Sequence, residues 1–365
     1  MSNEILSVLK KIETSGFKAY VIGGFVRDKL LGKSSYDVDI ATDATPQDLV
    51  KIFSDKEFKD FKYGNISFKD KKYSFDITTF RKDYSYVSKR KPSKIDYVKT
   101  LEEDIVRRDF TINAIAMDKD CNIIDLVGGR ADLKKKVLRT ILDSDAKIKE
   151  DALRILRAVR FSTVLGFRLD DRLKKSIISN KDILKDLSFS RKKEELDKIF
   201  NSPNKRRGIK LIKKLNLVEA LQLKNIDNVL RTNYPEGMWA TITEANYPFN
   251  KHEQGVIKRV NMLMNEDINS NLTLYKYDLY VINIVCDLKR LNKAKITKKY
   301  NLLPIKSKKD IDIKAEDIIA IIGDNSSALG AVYDDLVRKI LLLELVNEKD
   351  KIKAYLKYKY LWYNN

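Results

Sequence analysis

The spacing of apolar positions changes character near Arg139. Before it, short β-branched runs alternate with helical stretches; after it the period is helical almost throughout. KAYVIGG, residues 18–24, is an apolar run ending in two glycines, and FVRDKLLG continues at helical spacing until Gly32 can cap it, so strand, glycine turn and helix are predicted. In SYDVDIAT, Tyr36, Val38 and Ile40 fall on one face and Asp37 and Asp39 on the other, the period of a half-buried strand. Residues 65–80 hold two alternating runs around the polar KDKK and predict a hairpin. Residues 81–99, RKDYSYVSKRKPSKIDYVK, show no stable period, contain a proline and are read as a long basic loop, a kind of segment that is usually functional or mobile. From Thr140 onward the pieces are too long and too charged for strands. Breaks at residues 201–204, 233–237 and 303–310 divide the chain into 1–139, 140–202, 203–302 and 303–365.

Composition narrows the partners. Hydrophobic residues at 43% and aromatics at 9% exclude disorder of the whole chain, and 365 residues suffice for two or three domains. The 72 basic residues exceed the 52 acidic ones, and the resulting charge of +20 repels itself unless it meets a polyanion, so nucleic acid is the expected partner. A single histidine, His252, excludes mechanisms built on imidazole clusters, and any catalytic metal must then be held by oxygen. Cys121 and Cys286 are far apart with no CxxC neighbour, which argues against a disulfide framework and for a reducing, cytoplasmic setting. No apolar run approaches the ~18 residues of a membrane span, and the charged N-terminus is unlike a signal peptide. A soluble protein with no membrane partner is expected.

Candidate chemistry begins with the carboxylates. Asp37 and Asp39, two apart on a strand, point the same way and can share a hard divalent cation, which relieves their repulsion; Asp76, at the inward-facing phase of the hairpin, is a candidate third ligand. A surface DxD can also be merely solvated. Gly23 and Gly24 open a helix where bare N–H groups can meet phosphate oxygens, and Arg27 follows on its first turn; the plain alternative is a tight turn. In KEDALRILRAVRF, Asp151, Arg154, Arg157 and Arg160 recur every three residues beside the apolar Leu153, Leu156, Val159 and Phe161. Three arginines on one stripe repel, which suits a surface facing anions, although Asp–Arg pairs at this spacing are commonly surface ion pairs. RRDFTINAIAMD adds Arg108, Asp109 and Asn113. Asp109 or Asn113 can hydrogen-bond a ribose hydroxyl, or else cap a helix or enter a buried ion pair.

GGFVRDKLLG, YDVDIAT, LEEDIVRRDFTINAIAMD, IIDLVGGRADL and EDALRILRAVRFSTVLGF, in that order and spacing, resemble the successive motifs of the class II tRNA nucleotidyltransferase and bacterial poly(A) polymerase family, most densely from Ala19 to Phe167. The resemblance implies an α+β molecule: a nucleotidyltransferase head with a small mixed sheet over 1–139, then an all-helical neck (140–202), body (203–302) and tRNA-binding tail (303–365). It implies addition of C, C and A to the 3′ end of tRNA from CTP and ATP, with Mg2+ as cofactor, the tRNA acceptor arm as partner, and a monomer or homodimer. An A-adding enzyme and a poly(A) polymerase are the alternatives. Carried over, Asp37 and Asp39 hold the metal and are catalytic; Gly24 and Arg27 meet the triphosphate; Arg108, Asp109, Asn113, Asp151, Arg154, Arg157 and Arg160 bind the nucleotide. One departure stands out: where the family's neck often reads Ser-x-Glu-Arg, this chain has Ser188, Phe189, Ser190 and Arg191, so the ionic support expected from that Glu is missing there. The family also implies that enzymes able to add the final A retain a flexible loop where residues 81–99 lie. Physically, cytosine and adenine each present an amino donor beside a ring-nitrogen acceptor, whereas uracil and guanine present a carbonyl beside a protonated nitrogen. A carboxylate and a guanidinium side by side, here Asp151 and Arg154, would accept the first pair and reject the second.

Overall fold

The computed structural model describes residues 1–58, 65–87, 91–323 and 328–360; the tip of the basic segment, 88–90, lies outside them. The chain forms two units, residues 1–223 with 244–248, and residues 224–243 with 249–365.

The first unit opens with α1 (Asn3–Thr14), whose Ile5, Val8, Leu9 and Ile12 bury one stripe. Then follow β1 (Ala19–Ile22), α2 (Gly24–Leu30), β2 (Asp37–Thr42), α3 (Pro46–Ile52), β3 (Asn65–Asp70) and β4 (Tyr73–Thr79). A reciprocal cap between Thr45 and Asp48 starts α3, with Pro46 on its first turn where the missing N–H costs nothing. Next come β5 (Arg81–Val87), β6 (Lys91–Tyr97), α4 (Leu101–Val106), β7 (Ala116–Met117) and β8 (Ile123–Ile124). The main sheet has the order β3-β4-β2-β1-β7-β8. β2 and β4 run parallel and the other neighbours antiparallel, so the sheet is small and mixed. Val38 and Ile40 of β2 and Phe75 and Ile77 of β4 are buried on one face, where Phe68 stacks with Phe53 and Phe75. The opposite face of β2 carries Asp37 and Asp39.

Two readings need correction here. Residues 81–87 and 91–97 are paired strands rather than loop: β5 and β6 pair antiparallel from Arg81 opposite Tyr97 to Val87 opposite Lys91. The run carries three tyrosines with Val87 and Ile95, residues strands favour, and Pro92 is tolerated because each strand of a two-stranded sheet has a free edge. Nor does Asp76 face the core. Tyr73, Phe75, Ile77 and Thr79 take the buried phase of β4, which turns Asp76 to the face of Asp39, directly beside it in register.

Beyond the sheet the unit is helical: α5 (Gly129–Lys135), α6 (Ser144–Glu150), α7 (Leu153–Leu165), α8 (Asp171–Ser179), α9 (Phe189–Phe200) and α10 (Lys205–Lys214), with one minor parallel pair, β9 (Val137–Leu138) and β10 (Arg168–Leu169). Buried α7 is flanked by α9 and α10. Gly208 allows the close approach of α10, since a Cβ there would lie 2.5 Å from Ile199 and 2.8 Å from Thr163. Residues 244–248 return to this unit, where Tyr247 donates to the Leu221 carbonyl at 2.7 Å and packs on Phe189.

The second unit is all helical: α11 (Pro235–Ala240), α12 (Lys251–Met264), α13 (Asn271–Lys276), α14 (Leu279–Lys289), α15 (Lys293–Asn301), α16 (Ala315–Ile322), α17 (Leu329–Leu341) and α18 (Lys349–Tyr360). Val260, Val285, Leu336, Ile340 and Ile352 belong to its own continuous core. No helix among the described residues is long and apolar enough to cross a membrane.

Candidate active site

A cavity of about 460 Å³, a size suited to a small-molecule ligand, opens in the first unit. Its wall brings together Gly23, Gly24, Arg27, Asp39, Arg108, Asp109, Asn113, Asp151, Arg154, Arg157 and Arg160, all expected from the sequence. Arg81, Arg107 and Phe161 complete it and were not expected there as site residues. Asp37 is exposed two residues before Asp39 on β2 but is not part of the wall.

The turn between β1 and α2 makes the cavity floor. Gly23 adopts φ 82°, which favours glycine, and a Cβ there would stand 3.1 Å from Asp39 Oδ2 and crowd the carboxylate. Asp39 keeps exposed surface, yet partial loss of solvent around its carboxyl, followed by the nearby Asp76 and Asp37 carboxylates, pushes it up to about 6 against the pull of Arg108 and Arg27. Asp37 and Asp39 make no side-chain hydrogen bond or ion pair with a described residue. Two unpartnered carboxylates on one strand face fit a magnesium ion, which is commonly held by one or two carboxylates together with water and substrate phosphates. Asp76 Oδ1 accepts from Asn65 Nδ2 at 3.0 Å. Among the described residues no three acidic, histidine or cysteine side chains gather closely enough to bind a metal by themselves.

The arginines are held in place by protein. Arg27 donates through Nε and Nη2 to Asp28 at 2.8 and 2.9 Å and through Nη1 to Asn113 Oδ1 at 2.7 Å. Asp104, with no exposed side-chain surface, pairs with Arg107 at 2.7 Å and Arg108 at 2.9 Å and also accepts from the Arg81 backbone N–H at 3.2 Å. Burial alone would raise the Asp104 carboxyl, but Arg108 and Arg107 hold it below the usual range. Asp109 Oδ2 accepts from Arg157 Nε at 2.7 Å, while Oδ1 accepts from the Phe110 N–H and Asn113. The buried ion pair, one of the roles open to Asp109, is thus formed.

The Asp151–Arg160 segment is not one continuous helix. Asp151 is extended between α6 and α7, its Oδ1 accepting the Leu153 N–H at 3.0 Å and its Oδ2 facing Arg191 Nη2 at 3.3 Å. A short acidic side chain that caps the following helix explains the interruption. Arg154 is buried on the first turn of α7, where Nη1 donates to the Lys147 carbonyl and to Glu150, and Nη2 to the Arg107 carbonyl at 3.0 Å. Its Nε–H and one Nη2–H remain without a protein acceptor, while each Asp151 oxygen keeps a further lone pair. Arg160 has its Nε 2.7 Å from Glu195 Oε2, an ion pair without hydrogen-bond geometry. The anions that offset repulsion along α7 are thus protein carboxylates. Asp28, Asp104 and Glu150 stand one to four residues from their arginines, a spacing legible in advance; Glu195, from α9, gave no local signal.

This arrangement is that of a nucleotidyltransferase head. Residues 19–139 match the poly A polymerase head domain, and residues 166–228 match the probable RNA and SrmB-binding site of polymerase A. A CCA-adding enzyme of Listeria monocytogenes serotype 4b (strain F2365) is 32% identical, with 97% of each chain covered, and one of Streptococcus pneumoniae (strain CGSP14) is 32% identical over 97% of this chain and 96% of its own. The crystal structure of the Bacillus stearothermophilus CCA-adding enzyme in complex with CTP superposes with a TM-score of 0.81 at 27% identity, covering 98% of both chains. The chain belongs to the CCA-adding enzyme family of tRNA nucleotidyltransferases. Nucleotidyltransferases of this family use divalent metal ions.

Proposed function

We propose that the protein adds C, C and A to the 3′ end of tRNA from CTP and ATP, without a nucleic-acid template, in the cytoplasm. The observation that carries the reading is a single cavity lined both by a carboxylate without a protein partner, Asp39, and by the side-by-side Asp151 and Arg154, together with Arg27, Arg157 and Arg160. Asp37 and Asp39 hold Mg2+, whose charge, when bound, is available to stabilise the attacking and leaving oxygens. The 3′ hydroxyl of the tRNA displaces pyrophosphate at the α-phosphorus. Gly24 and Arg27 orient the triphosphate, Arg108 adds positive charge beside Asp39, and Asn113 supports Arg27 and Asp109. Asp151 accepts the exocyclic amino group of cytosine or adenine and Arg154 donates to the ring nitrogen, so uracil and guanine leave these groups unsatisfied. We assign catalysis to residues 1–139, base reading to 140–202, and tRNA contacts to the helical remainder.

Incubating the purified protein with tRNA lacking its end and with each labelled triphosphate tests the reading. Incorporation of two C and one A is expected. Addition of A alone to CC ends would mark an A-adding enzyme, and long A tracts a poly(A) polymerase.

A further inference from the structure

Three guanidinium groups meet around the ring of Phe161. The centre of the Arg27 group stands 5.3 Å from the ring centroid, that of Arg157 5.4 Å and that of Arg160 4.2 Å. An ordinary core aromatic is packed among apolar side chains. Here cations of one sign surround a single ring, and each is tied outward to its own carboxylate: Asp28, Asp109 and Glu195. Those three acids come from different parts of the chain, so the ion pairs by themselves set no common geometry for the arginines. The ring is where they are brought together, because an aromatic face carries negative potential and attracts a guanidinium, more strongly where water is excluded. Phe161 is suited to that task. It is 8% exposed, lines the same cavity as the three arginines, and is braced edge-on by fully buried Phe110 with centroids 5.8 Å apart.

We propose that Phe161 is a positioning residue whose ring holds Arg27, Arg157 and Arg160 at the spacing that directs their remaining N–H donors onto the phosphate oxygens of the incoming nucleoside triphosphate. The inference rests on the nucleotidyl-transfer reading and deepens it. Leucine would preserve apolar volume but supply no negative face, so the arginines would relax toward their separate carboxylates. Loss should appear in nucleotide affinity more than in turnover of the bound complex.

The test replaces Phe161 in the full chain with mono-, di- and trifluorinated phenylalanine, which keep ring shape while weakening the negative face stepwise. KM for CTP and ATP should climb through the series by about tenfold in total, with a smaller fall in kcat and unchanged melting temperature and tRNA affinity. Phe161→Tyr should retain tight nucleotide binding. A KM that stays flat across the fluorinated series would overturn the proposal and leave Phe161 as packing, even if Phe161→Leu lowered stability. Failure of the unsubstituted protein to bind either nucleotide would overturn the nucleotidyl-transfer reading, and this inference with it.

Discussion

Arg154, Arg157 and Arg160 on α7 and Arg206, Lys210 and Lys214 on neighbouring α10 carry charge of the same sign, yet the two groups are set up in opposite ways. On α7 every guanidinium is wholly or partly buried and fixed by a carboxylate. On α10 the three cations are exposed and without an ion-pair partner among the described residues. Lys210 and Lys214 line, with Arg168 and Lys174, a second cavity of about 350 Å³. Burying a charge costs several kcal/mol unless it is paired, so the α7 arginines gain a single geometry, which base selection needs, and contribute little long-range attraction. Exposed cations are cheap to place and remain free to displace counterions from a polyanion. Arg207 marks the division, since on α10 it nevertheless donates to the Ser162 and Phe167 carbonyls at the end of α7 at 3.0 and 2.6 Å. Arg207 is thereby committed to the protein, which leaves Arg206 and Lys210 as the α10 cations available to a polyanion.

Substitutions should separate the two regions. The largest effect is expected at the metal carboxylates: Asp37→Ala or Asp39→Ala should cut incorporation by about a thousandfold or more, since metal-assisted charge stabilisation is worth several kcal/mol. A filter-binding assay should show tRNA affinity nearly unchanged. Trimming residues 83–94 to a short glycine linker should remove A addition and leave C addition largely intact, because the hairpin is joined to the site through the Arg81–Asp104–Arg107 contacts and could reset the base-reading pair. Equal loss of both additions, followed on sequencing gels, would indicate general binding instead.

Asp109→Ala should destabilise the protein by about 1–3 kcal/mol in urea unfolding, because it removes the buried acceptor of the Phe110 N–H and Asn113 and leaves the half-buried Arg157 without its carboxylate. Burial raises the Asp109 carboxyl, but Arg157 and its hydrogen bonds hold it below the ordinary carboxylate range. Its stabilising contribution is therefore complete above the unfolded carboxyl pKa and is lost as pH falls below it through the lowered folded value. Unfolding measured from pH 7 downward should show a shallower acid-side decline in Asp109→Asn than in the parent. The smallest effects belong to α10. Arg206→Ala and Lys210→Ala should each reduce the slope of log affinity against log salt by about 1 and leave nucleotide choice untouched. Arg207→Ala should lower stability without changing that slope.

Local patterns made the frame of the head legible. The strand–glycine–helix turn at residues 19–30, the DxD strand and the 65–79 hairpin all follow from period and turn chemistry acting within a few residues. The pairing of residues 81–87 with 91–97 was obscured because lysines and a proline interrupt their alternation. The break at Asp151 was obscured because capping competes with helix continuation through one side chain. Most residues that line the cavity were picked out by motif, but the partners that fix them were not. Arg157 meets Asp109 across 48 positions and Arg160 meets Glu195 from another helix, distances at which linear spacing carries no information. The Glu absent at Ser190 is not replaced locally; Arg191 faces Asp151 instead, and the acid that supports Arg160 is supplied by Glu195 further along α9.

If protein side chains choose the base, competition among the four triphosphates measures that choice directly. With tRNA ending in one or two cytidines, the unsubstituted protein should incorporate C or A and exclude U and G, while Asp151→Ala and Arg154→Ala should admit U or G at a raised frequency relative to C and A. Slower variants that kept the original nucleotide preference would contradict the claim.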